Sequence, residues 1–342
     1  MKTFFVVNTF LIFTNCLFFL NSSFIANLIK LNDYPDNLRK IHNTPVPLLG
    51  GMVLFFNITI NLFFFLLLEI INLKLFLGYF FFLFGFFLLG IIDDYKSIRP
   101  KFKLLFSILM IFSFLLIFSE YIITSIDFTS FNKVISLGYF SIPFTILCFL
   151  LLQNAMNMID GIDGLSGSVS IAILLLCFLY NNFENTFLTY YILSLIMFLI
   201  IYIFFNFKKK SFLGDSGAFI LALSISIIIV SISNEKNLSY FETNFRTEQI
   251  FLLLLLPGID MFRVFILRVS LNKNPFYPDK NHLHHYLLNY LNRYQICLIY
   301  FLFIFISNFL VNIFPTKILL ILILSTILYL TILVSSRKFQ SF

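Results

Sequence analysis

The chain has 342 residues, of which 60% are hydrophobic and 11% are charged. Soluble globular proteins are nearer half apolar and a quarter charged, so no soluble core could bury this many apolar side chains. The net charge of +7 does not indicate a nucleic-acid partner here, because Lys and Arg concentrate on the cytoplasmic loops of membrane proteins. The composition excludes a soluble protein and indicates an integral membrane protein.

Apolar runs long enough to cross a bilayer recur along the whole chain. The sequence therefore predicts an all-α, polytopic membrane protein with one domain, residues 1–342, and about 11 transmembrane helices. The first run, after Lys2, is long for a signal peptide and no small-x-small cleavage site follows it, so we interpret it as an uncleaved span. The predicted spans are 3–20, 49–71, 75–92, 103–119, 140–153, 168–180, 187–205, 216–233, 250–267, 295–313 and 317–334.

The basic residues lie mainly in alternate connections between these spans. One alternating set of connections holds 16 of the 23 Lys and Arg residues, the other set holds six, and Arg263 lies inside a span. By the positive-inside rule the richer set is cytoplasmic, so we expect the N-terminus outside and the C-terminus in the cytoplasm. This orientation puts every polar cluster at a cytoplasmic span end, and we expect one composite site. The clusters are Asp93-Asp94, 154–163, 214–217 and 278–285.

Two adjacent carboxylates, Asp93 and Asp94, end the third span. Such a pair can simply mark the edge of the membrane. Adjacent carboxylates beside a bilayer repel each other, however, unless a cation is near. The cation could be Mg²⁺ or one of the basic residues Lys96, Lys101 and Lys103 that follow. A carboxylate in this setting can also serve as a general base.

Asn154, Asn157, Asp160 and Asp163 follow one another at a constant spacing of three. On a helix this spacing makes one slowly turning polar stripe, and a glycine after each aspartate predicts that the helix frays or bends within it. An ordinary polar loop would not normally place two amides and two carboxylates at this interval. Amides beside carboxylates suit a site that hydrogen-bonds sugar or uracil groups and also holds a cation.

The segment Gly214-Asp215-Ser216-Gly217 precedes a long apolar run. Asp or Ser at this position also serves as a helix N-cap. The two roles are compatible, because a helix N-terminus with glycines can approach a phosphate closely. A further stretch, 39–51, contributes basic donors including Lys40, then prolines and glycines, and is ambiguous alone.

Three of the four histidines of the chain, His282, His284 and His285, lie within four residues. A zinc site is one alternative, but histidines at i, i+2 and i+3 do not share one helix face. There is also no companion Cys pair, since the four cysteines are isolated from one another. With Lys280 and Arg293 nearby, phosphate binding by hydrogen-bond donors is favoured.

These clusters together provide carboxylates and basic donors at a lipid surface, without a thiol or serine nucleophile. Mg²⁺ prefers one or two carboxylates plus substrate phosphates over an all-protein cage. Phosphoryl transfer requires positioning and charge neutralisation more than covalent chemistry. The residues therefore predict diphosphate chemistry on a lipid-borne acceptor, without identifying the substrates.

Four motifs follow one another between residues 93 and 285: DDYKSIRPKFKLL, NAMNMIDGIDGL, FLGDSGA and PDKNHLHH. With them the sequence resembles the polyprenyl-phosphate N-acetylhexosamine-1-phosphate transferases, glycosyltransferase family 4. HLHH and the stretch RKIHNTPVPLLGG are similar to the undecaprenyl-phosphate N-acetylglucosaminyl-1-phosphate transferase branch. The pentapeptide-transferase branch tends instead to carry consecutive histidines followed by Phe and Glu.

The resemblance implies that a HexNAc-1-phosphate, most simply GlcNAc-1-phosphate, passes from a UDP-sugar to undecaprenyl phosphate with release of UMP. It implies Mg²⁺ as cofactor, with Mn²⁺ as a substitute. The product would start a cell-envelope polysaccharide, such as a cell-wall polymer or the O-antigen of lipopolysaccharide. The expected location is the bacterial inner membrane, with the active site facing the cytoplasm and no nucleic acid as partner. A homodimer is compatible with this expectation, and the donor sugar is left open among GlcNAc, GalNAc, FucNAc and other HexNAc.

The resemblance also implies residue roles. Asp215 would be the direct Mg²⁺ ligand, and Asp93 would act on the lipid phosphate with support from Asp94. Whether the lipid phosphate attacks directly or an Asp-phosphate forms first is left open. The residues expected to bind substrate are Lys40, Lys101, Lys103, Asn154, Asn157, Asp160, Asp163, His282, His284 and His285.

Two other functions are alternatives to this one. A secondary transporter also has many spans and intramembrane acids, but it places its charges near the bilayer midplane and often shows a repeat. Here the acids are predicted at span ends, and no repeat is visible. A CDP-alcohol phosphotransferase would need more widely spaced aspartates and an Arg after the first Asp-Gly, which the segment DGIDG does not provide.

Overall fold

The computed structural model describes residues 2–35, 44–128, 130–181, 185–234, 245–275 and 279–338. This part of the chain is mostly helical, as predicted. Its α-helices are α1 (Lys2–Leu20), α2 (Ser22–Ile29), α3 (Gly50–Leu67), α4 (Leu73–Tyr95), α5 (Pro100–Ile117), α6 (Ser141–Ile159), α7 (Leu165–Tyr180), α8 (Thr186–Phe207), α9 (Gly214–Asn234), α10 (Thr247–Leu253), α11 (Leu255–Ser270), α12 (Leu283–Leu287), α13 (Arg293–Ile313) and α14 (Ile318–Lys338).

Three 3-10 helices, Ser119–Tyr121, Gly138–Phe140 and Pro315–Lys317, and two short antiparallel strand pairs complete the described structure. Strand β1 (Asn32–Asp33) pairs with β2 (Val46–Pro47), immediately before α3. Strand β3 (Ser125–Phe128) pairs with β4 (Lys133–Ser136), with Ser125 opposite Ser136. The second strand pair lies in the connection between α5 and α6.

Nine of the described helices are long and apolar enough to cross a membrane, and α10 with α11 makes a tenth if that pair is one bent span. Each of the eleven predicted spans coincides with helix. Fewer than eleven of these helices, however, are long enough to cross a membrane. The sixth predicted span is α7, which has only 16 residues, slightly less than the roughly 17–25 residues of a spanning helix. The orientation of the termini remains a prediction.

The predicted ninth span, 250–267, is not one continuous helix. Helices α10 and α11 meet at an angle of 70° around Leu254. Pro257 explains the break, because it has no N–H to donate to the carbonyl of Leu253 and its ring would clash with that carbonyl in a continuous helix. In the first turn of α11 the proline is tolerated, and Gly258 N–H resumes the helical pattern by donating to Leu254 O at 2.9 Å.

Helix α9 is the centre of the bundle. In its most apolar 18-residue stretch 89% of the residues are buried, and α9 packs against α3, α4, α6 and α7. A Cβ on Gly90 of α4 would lie 2.1 Å from the Cα of Ser216, so no larger residue fits there. Small residues let helices approach closely in a membrane, where packing drives association. This close approach brings the N-terminus of α9 against the last turns of α4.

The outer surface of the bundle is apolar. Large side chains such as Phe10 of α1, Leu105 of α5 and Leu324 of α14 are exposed. A soluble monomer rarely exposes contiguous apolar area of this kind. The surface therefore suits lipid, in agreement with the composition.

Candidate active site

The carboxylate of Asp94, in the last turn of α4, caps the N-terminus of α9. It accepts hydrogen bonds from the backbone N–H of Asp215 at 2.8 Å, from the N–H of Ser216 at 3.3 Å and from the Ser216 hydroxyl at 2.9 Å. The first N–H groups of a helix have no partner within it, and a negative group there is stabilised by the helix dipole. Asp94 thus supplies the cap that the sequence suggested for Asp215 or Ser216.

Gly214 permits this contact. Its φ is +72°, in the left-handed region, and a Cβ added to it would lie 2.7 Å from Oδ2 of Asp94. An L-residue with a side chain is strained in that conformation and would also push Asp94 away. The glycine before Asp215 is therefore required by the capping geometry.

Lys103 of α5 joins the other two carboxylates. Its Nζ forms an ion pair with Asp93 and lies 3.3 Å from Oδ2 of Asp215. Asp93 is buried and also accepts the backbone N–H of Ile98 at 2.6 Å, whereas Asp215 is partly exposed. A cation therefore stands between carboxylates from α4 and α9, as the repulsion between such groups requires.

The donor set of this junction fits a hard divalent cation. Among the described residues no group of three His, Cys, Asp or Glu side chains is arranged to hold a metal by itself. Mg²⁺ commonly takes one or two protein carboxylates and completes its shell with water and phosphate oxygens. Of the two carboxylates that contact Lys103, Asp215 is the more exposed. It therefore has the chemistry and the access of a Mg²⁺ ligand, and this role remains a prediction.

The stripe of amides and carboxylates is only partly helical. Asn154 and Asn157 lie in the last turns of α6, while Asp160 and Asp163 lie in the turn before α7. Asn154 is exposed, and its amide donates to the carbonyl of Leu150 at 2.7 Å. The predicted bend therefore occurs, and it separates the amides from the carboxylates.

Both carboxylates of the turn have polar partners. Asp160 accepts the hydroxyl of Ser166 at 2.5 Å, and Asp163 forms an ion pair with Arg293, the first residue of α13. Burial, with a smaller contribution from the negative charges of Asp94 and Asp163, raises the pKa of Asp160 to about 7, although the hydrogen bond from Ser166 lowers it.

Asn206, at the end of α8, was missed by the sequence analysis. Its Oδ1 accepts the N–H of Gly164 at 2.5 Å, and its Nδ2 donates to the carbonyl of Ser211 at 2.8 Å. It is buried and so ties the turn before α7 to the loop before α9. The only sequence signal was an amide at the end of an apolar run, which resembles an ordinary membrane-edge residue.

The loop before α9 also pairs with the start of α3. Gly50 N–H donates to the carbonyl of Phe212 and Gly51 N–H to that of Leu213, both at 2.9 Å. The part of the ambiguous stretch 39–51 that the structure describes thus lies beside Asp215. Lys40 lies outside the described residues, and Lys101 is exposed in the first turn of α5.

The histidine loop lies against the turn before α7. His284 is buried, and a Cβ on Gly161 would lie 2.5 Å from its Nε2. Neither ring nitrogen of His284 has a hydrogen-bond partner in the described part of the chain. Burial lowers the pKa of His284 and that of His285, the latter to about 4, with the neighbouring His282 adding to both shifts. Near pH 7 both rings are neutral, so each has one donor and one acceptor nitrogen.

Three charged residues of α11 hold the histidine loop and were also missed. His282 Nδ1 lies 2.8 Å from Oδ2 of Asp260, and Arg263 pairs with the same carboxylate at 2.7 Å. Arg268 pairs with Asp279 at 2.9 Å. Charged side chains within an apolar run are rare and usually functional, so Asp260 and Arg263 carried a signal in the sequence.

Known proteins share sequence with this chain. Residues 76–233 match the family model described as glycosyl transferase family 4. A probable undecaprenyl-phosphate N-acetylglucosaminyl 1-phosphate transferase of Bacillus subtilis (strain 168) is 28% identical over 77% of this chain and 71% of its own length. The undecaprenyl-phosphate alpha-N-acetylglucosaminyl 1-phosphate transferase of Thermotoga maritima is 28% identical over 86% of each chain. A phospho-N-acetylmuramoyl-pentapeptide-transferase of Dictyoglomus turgidum is 34% identical over 43% of this chain and 50% of its own length.

The family match covers slightly less than half of the chain, and together with the relatives it shows that the chain is similar to the polyprenyl-phosphate N-acetylhexosamine-1-phosphate transferases. The Bacillus subtilis and Thermotoga maritima relatives, which align over more than two thirds of both chains, carry the names of the N-acetylglucosaminyl-1-phosphate transferase branch. The resemblance of the motifs to that branch is therefore confirmed.

Proposed function

We propose that this protein transfers a HexNAc-1-phosphate, most simply GlcNAc-1-phosphate, from a UDP-sugar to undecaprenyl phosphate and releases UMP. The observation that carries the proposal is the junction of α4, α5 and α9, where Asp93, Lys103 and Asp215 meet at one end of the bundle. The names of the relatives support the acceptor and the transferred group. The product would be the first lipid-linked sugar of a cell-envelope polysaccharide.

The reaction needs little covalent chemistry from the protein. An oxygen of the lipid phosphate attacks the β-phosphorus of the donor in line, and the bond to the bridging oxygen breaks as UMP leaves with the electron pair. Lys103 provides positive charge where the two anionic substrates meet, and Asp93 is placed to accept the proton of a monoanionic lipid phosphate. Mg²⁺, held by Asp215, would neutralise the diphosphate charge.

The second half of the site suits the nucleotide-sugar. The turn with Asp160 and Asp163 is joined by Asn206 to the loop before α9, and its Gly161 lies against His284 of the histidine loop. Neutral His284 and His285 offer both donors and acceptors, which hydroxyl and amide groups of a sugar require. In this proposal the residues of α4 and α5 bind the lipid phosphate. The turn before α7 and the histidine loop bind the nucleotide-sugar donor.

The transporter alternative is not favoured by the position of these acids. A transporter would place them near the bilayer midplane. Here Asp93 and Asp94 lie in the last turn of α4, and Asp215 lies in the first turn of α9. Helix ends at a membrane surface suit a reaction between a soluble donor and a lipid headgroup.

The test is an assay of the purified protein in vesicles that contain undecaprenyl phosphate. A panel of UDP-HexNAc donors is supplied with Mg²⁺, and both lipid-linked sugar and UMP are measured. We expect equal amounts of the two products with UDP-GlcNAc, and none with Asp215→Asn although that variant inserts normally. Asp127→Asn is the matched control and should be active, because Asp127 lies on β3, after the end of α5 that is opposite to Lys103. Failure to release UMP from any donor would refute the proposal.

A further inference from the structure

The carboxylate of Asp260 is the centre of a buried hydrogen-bond network that no substrate role accounts for. Its Oδ2 lies 2.8 Å from Nδ1 of His282. Its Oδ1 accepts from Nη2 of Arg263 at 2.7 Å and from the hydroxyl of Tyr329 at 2.9 Å. The side chains of Asp260 and His282 are 4% and 7% exposed. The network therefore joins α11, α14 and the start of the histidine loop.

This arrangement fixes which nitrogen of His282 carries the hydrogen. An arginine can only donate, and the backbone N–H of Leu283 also donates to Asp260, at 3.2 Å from Oδ1 and 3.3 Å from Oδ2. The carboxylate is thus the acceptor in every one of its contacts. Nδ1 of His282 must then be the donor, so in the neutral ring Nε2 is the unprotonated nitrogen. Among the described residues, the hydrogen bond of the His282 ring is the one that Nδ1 makes with Asp260.

Two further contacts hold Asp260 and the loop in register. Arg263 donates through Nε to the hydroxyl of Tyr329 at 2.9 Å and through Nη2 to the carbonyl of Asn281 at 2.5 Å. The residue before His282 and the residue after it are therefore both bonded to this network. A ring that is fixed by its own hydrogen bond, in a loop that is bonded on both sides of it, loses little entropy when a substrate binds to its other nitrogen.

We propose that Asp260 is a positioning residue that orients His282, with Nδ1–H on its carboxylate and Nε2 directed to the donor substrate, and that Tyr329 of α14 supports it. This inference rests on the proposed function for the identity of the substrate. The hydrogen-bond pair itself does not depend on that function. Carboxylate–histidine pairs of this kind orient metal-binding and catalytic histidines, and their loss is commonly about 10- to 100-fold in affinity or activity.

The first experiment measures the ring directly. Protein labelled with ¹⁵N-histidine is placed in vesicles, and the signals of His282 among the four histidines are identified by their loss in His282→Gln. We expect the wild-type signals of a ring protonated at Nδ1. Asp260→Asn should change them, because an amide can donate as well as accept and no longer selects one tautomer. Unchanged His282 signals in Asp260→Asn would overturn the proposal.

The second experiment separates positioning from general structural damage. Asp260→Asn should lower kcat/KM for the UDP-sugar about 10- to 100-fold with an unchanged KM for undecaprenyl phosphate. In a His282→Gln background the same substitution should cost less than about threefold, since residues that act through each other are not additive. Fully additive losses, or equal effects on both substrates, would contradict the positioning role.

A third variant covers the case in which Asp260→Asn does not insert. Tyr329→Phe keeps the carboxylate and removes one of its donors, so we expect a smaller loss of the same kind and a measurable shift of the His282 signals. Asp127→Asn, whose carboxylate faces Arg246 at 3.9 Å in another part of the molecule, is the matched control and should change neither. A wild type without turnover on any donor would refute the proposed function, whereas the ¹⁵N comparison would still decide the Asp260–His282 pair.

Discussion

Oδ1 of Asp94 accepts the backbone N–H of Asp215 at 2.8 Å, although the two residues are 121 positions apart. The contact joins the end of α4 to the start of α9 and makes one structure of two motifs that the sequence presents separately. It also separates the roles of the adjacent carboxylates. Asp94 stabilises the helix that carries Asp215, while Asp93 pairs with Lys103.

Asp94→Ala should therefore lower stability as well as activity. It removes the acceptor for three donors at the start of α9, and loss of a helix N-cap costs about 0.5–2 kcal/mol. We expect a lower midpoint of thermal unfolding in detergent than for the wild type. Asp127→Ala breaks a long surface ion pair with Arg246. It should change the free energy of unfolding by no more than about 0.5 kcal/mol. Equal midpoints for Asp94→Ala and the wild type would contradict the capping role.

Two glycine substitutions test the geometry of the same contact. Gly214→Ala places a Cβ 2.7 Å from Asp94 Oδ2 at a φ of +72°, and the left-handed conformation alone costs an alanine about 1–2 kcal/mol. Activity and stability should both fall. Gly258→Ala is the matched control, because nothing lies within 4 Å of its Cβ position, and alanine there favours helix by up to about 1 kcal/mol. Gly214→Ala should lower the midpoint of thermal unfolding and the turnover, whereas Gly258→Ala should lower neither. Equal effects of the two substitutions would contradict the capping geometry.

Much of the fold followed from the sequence, because long apolar runs in a membrane can form little except helix. The break at Leu254 was missed since hydropathy averages over Pro257, although the proline itself was a visible signal. The carboxylate and histidine clusters were found because polar residues at span ends are conspicuous in so apolar a chain.

What the sequence could not give were the pairings between distant elements. Asn206 and Tyr329 are unremarkable in their own helices, and only packing brings Asn206 to Gly164 and Tyr329 to Asp260. Likewise, Lys103 was one of several lysines after Asp93, and the start of α5 decides which one reaches the carboxylates. Contacts of this kind depend on helix rotation and close approach, which periodicity alone does not fix.

The pH dependence of stability should show the titration of Asp160. Burial raises the pKa of this carboxyl from 3.8 to about 7, so between these values the folded protein holds a proton that the unfolded chain has lost. Its contribution to stability therefore falls as pH rises from about 4 to about 7 and is constant above that. We expect the difference in unfolding midpoint between the wild type and Asp160→Asn to fall from pH 5 to pH 7.5 and then level off.

This comparison is made between two proteins because the histidines titrate in the opposite direction. The lowered pKa values of His284 and His285 make stability rise with pH below their ordinary value of about 6.5. That contribution is common to both proteins and cancels in the difference. A difference independent of pH would show that Asp160 is ionised throughout.

Cysteine labelling tests the predicted orientation. In a version without the four native cysteines, Lys208→Cys at the end of α8 and Lys133→Cys on β4 are both exposed and lie at opposite helix ends. An impermeant reagent added to intact cells should label Lys133→Cys only, and both after the cells are opened. Labelling of Lys208→Cys alone in intact cells would invert the topology and separate the site from cytoplasmic UDP-sugars.

The fate of the donor's β-phosphate tests the central claim most directly. Protein in vesicles with undecaprenyl phosphate is given UDP-GlcNAc labelled with ³²P at the β-phosphate, and the lipid and aqueous fractions are separated. Transfer of the sugar-1-phosphate puts the label in the lipid and leaves unlabelled UMP in water, and Asp215→Asn should abolish both. Label that stays in water as UDP while sugar enters the lipid would show simple glycosyl transfer and contradict the account.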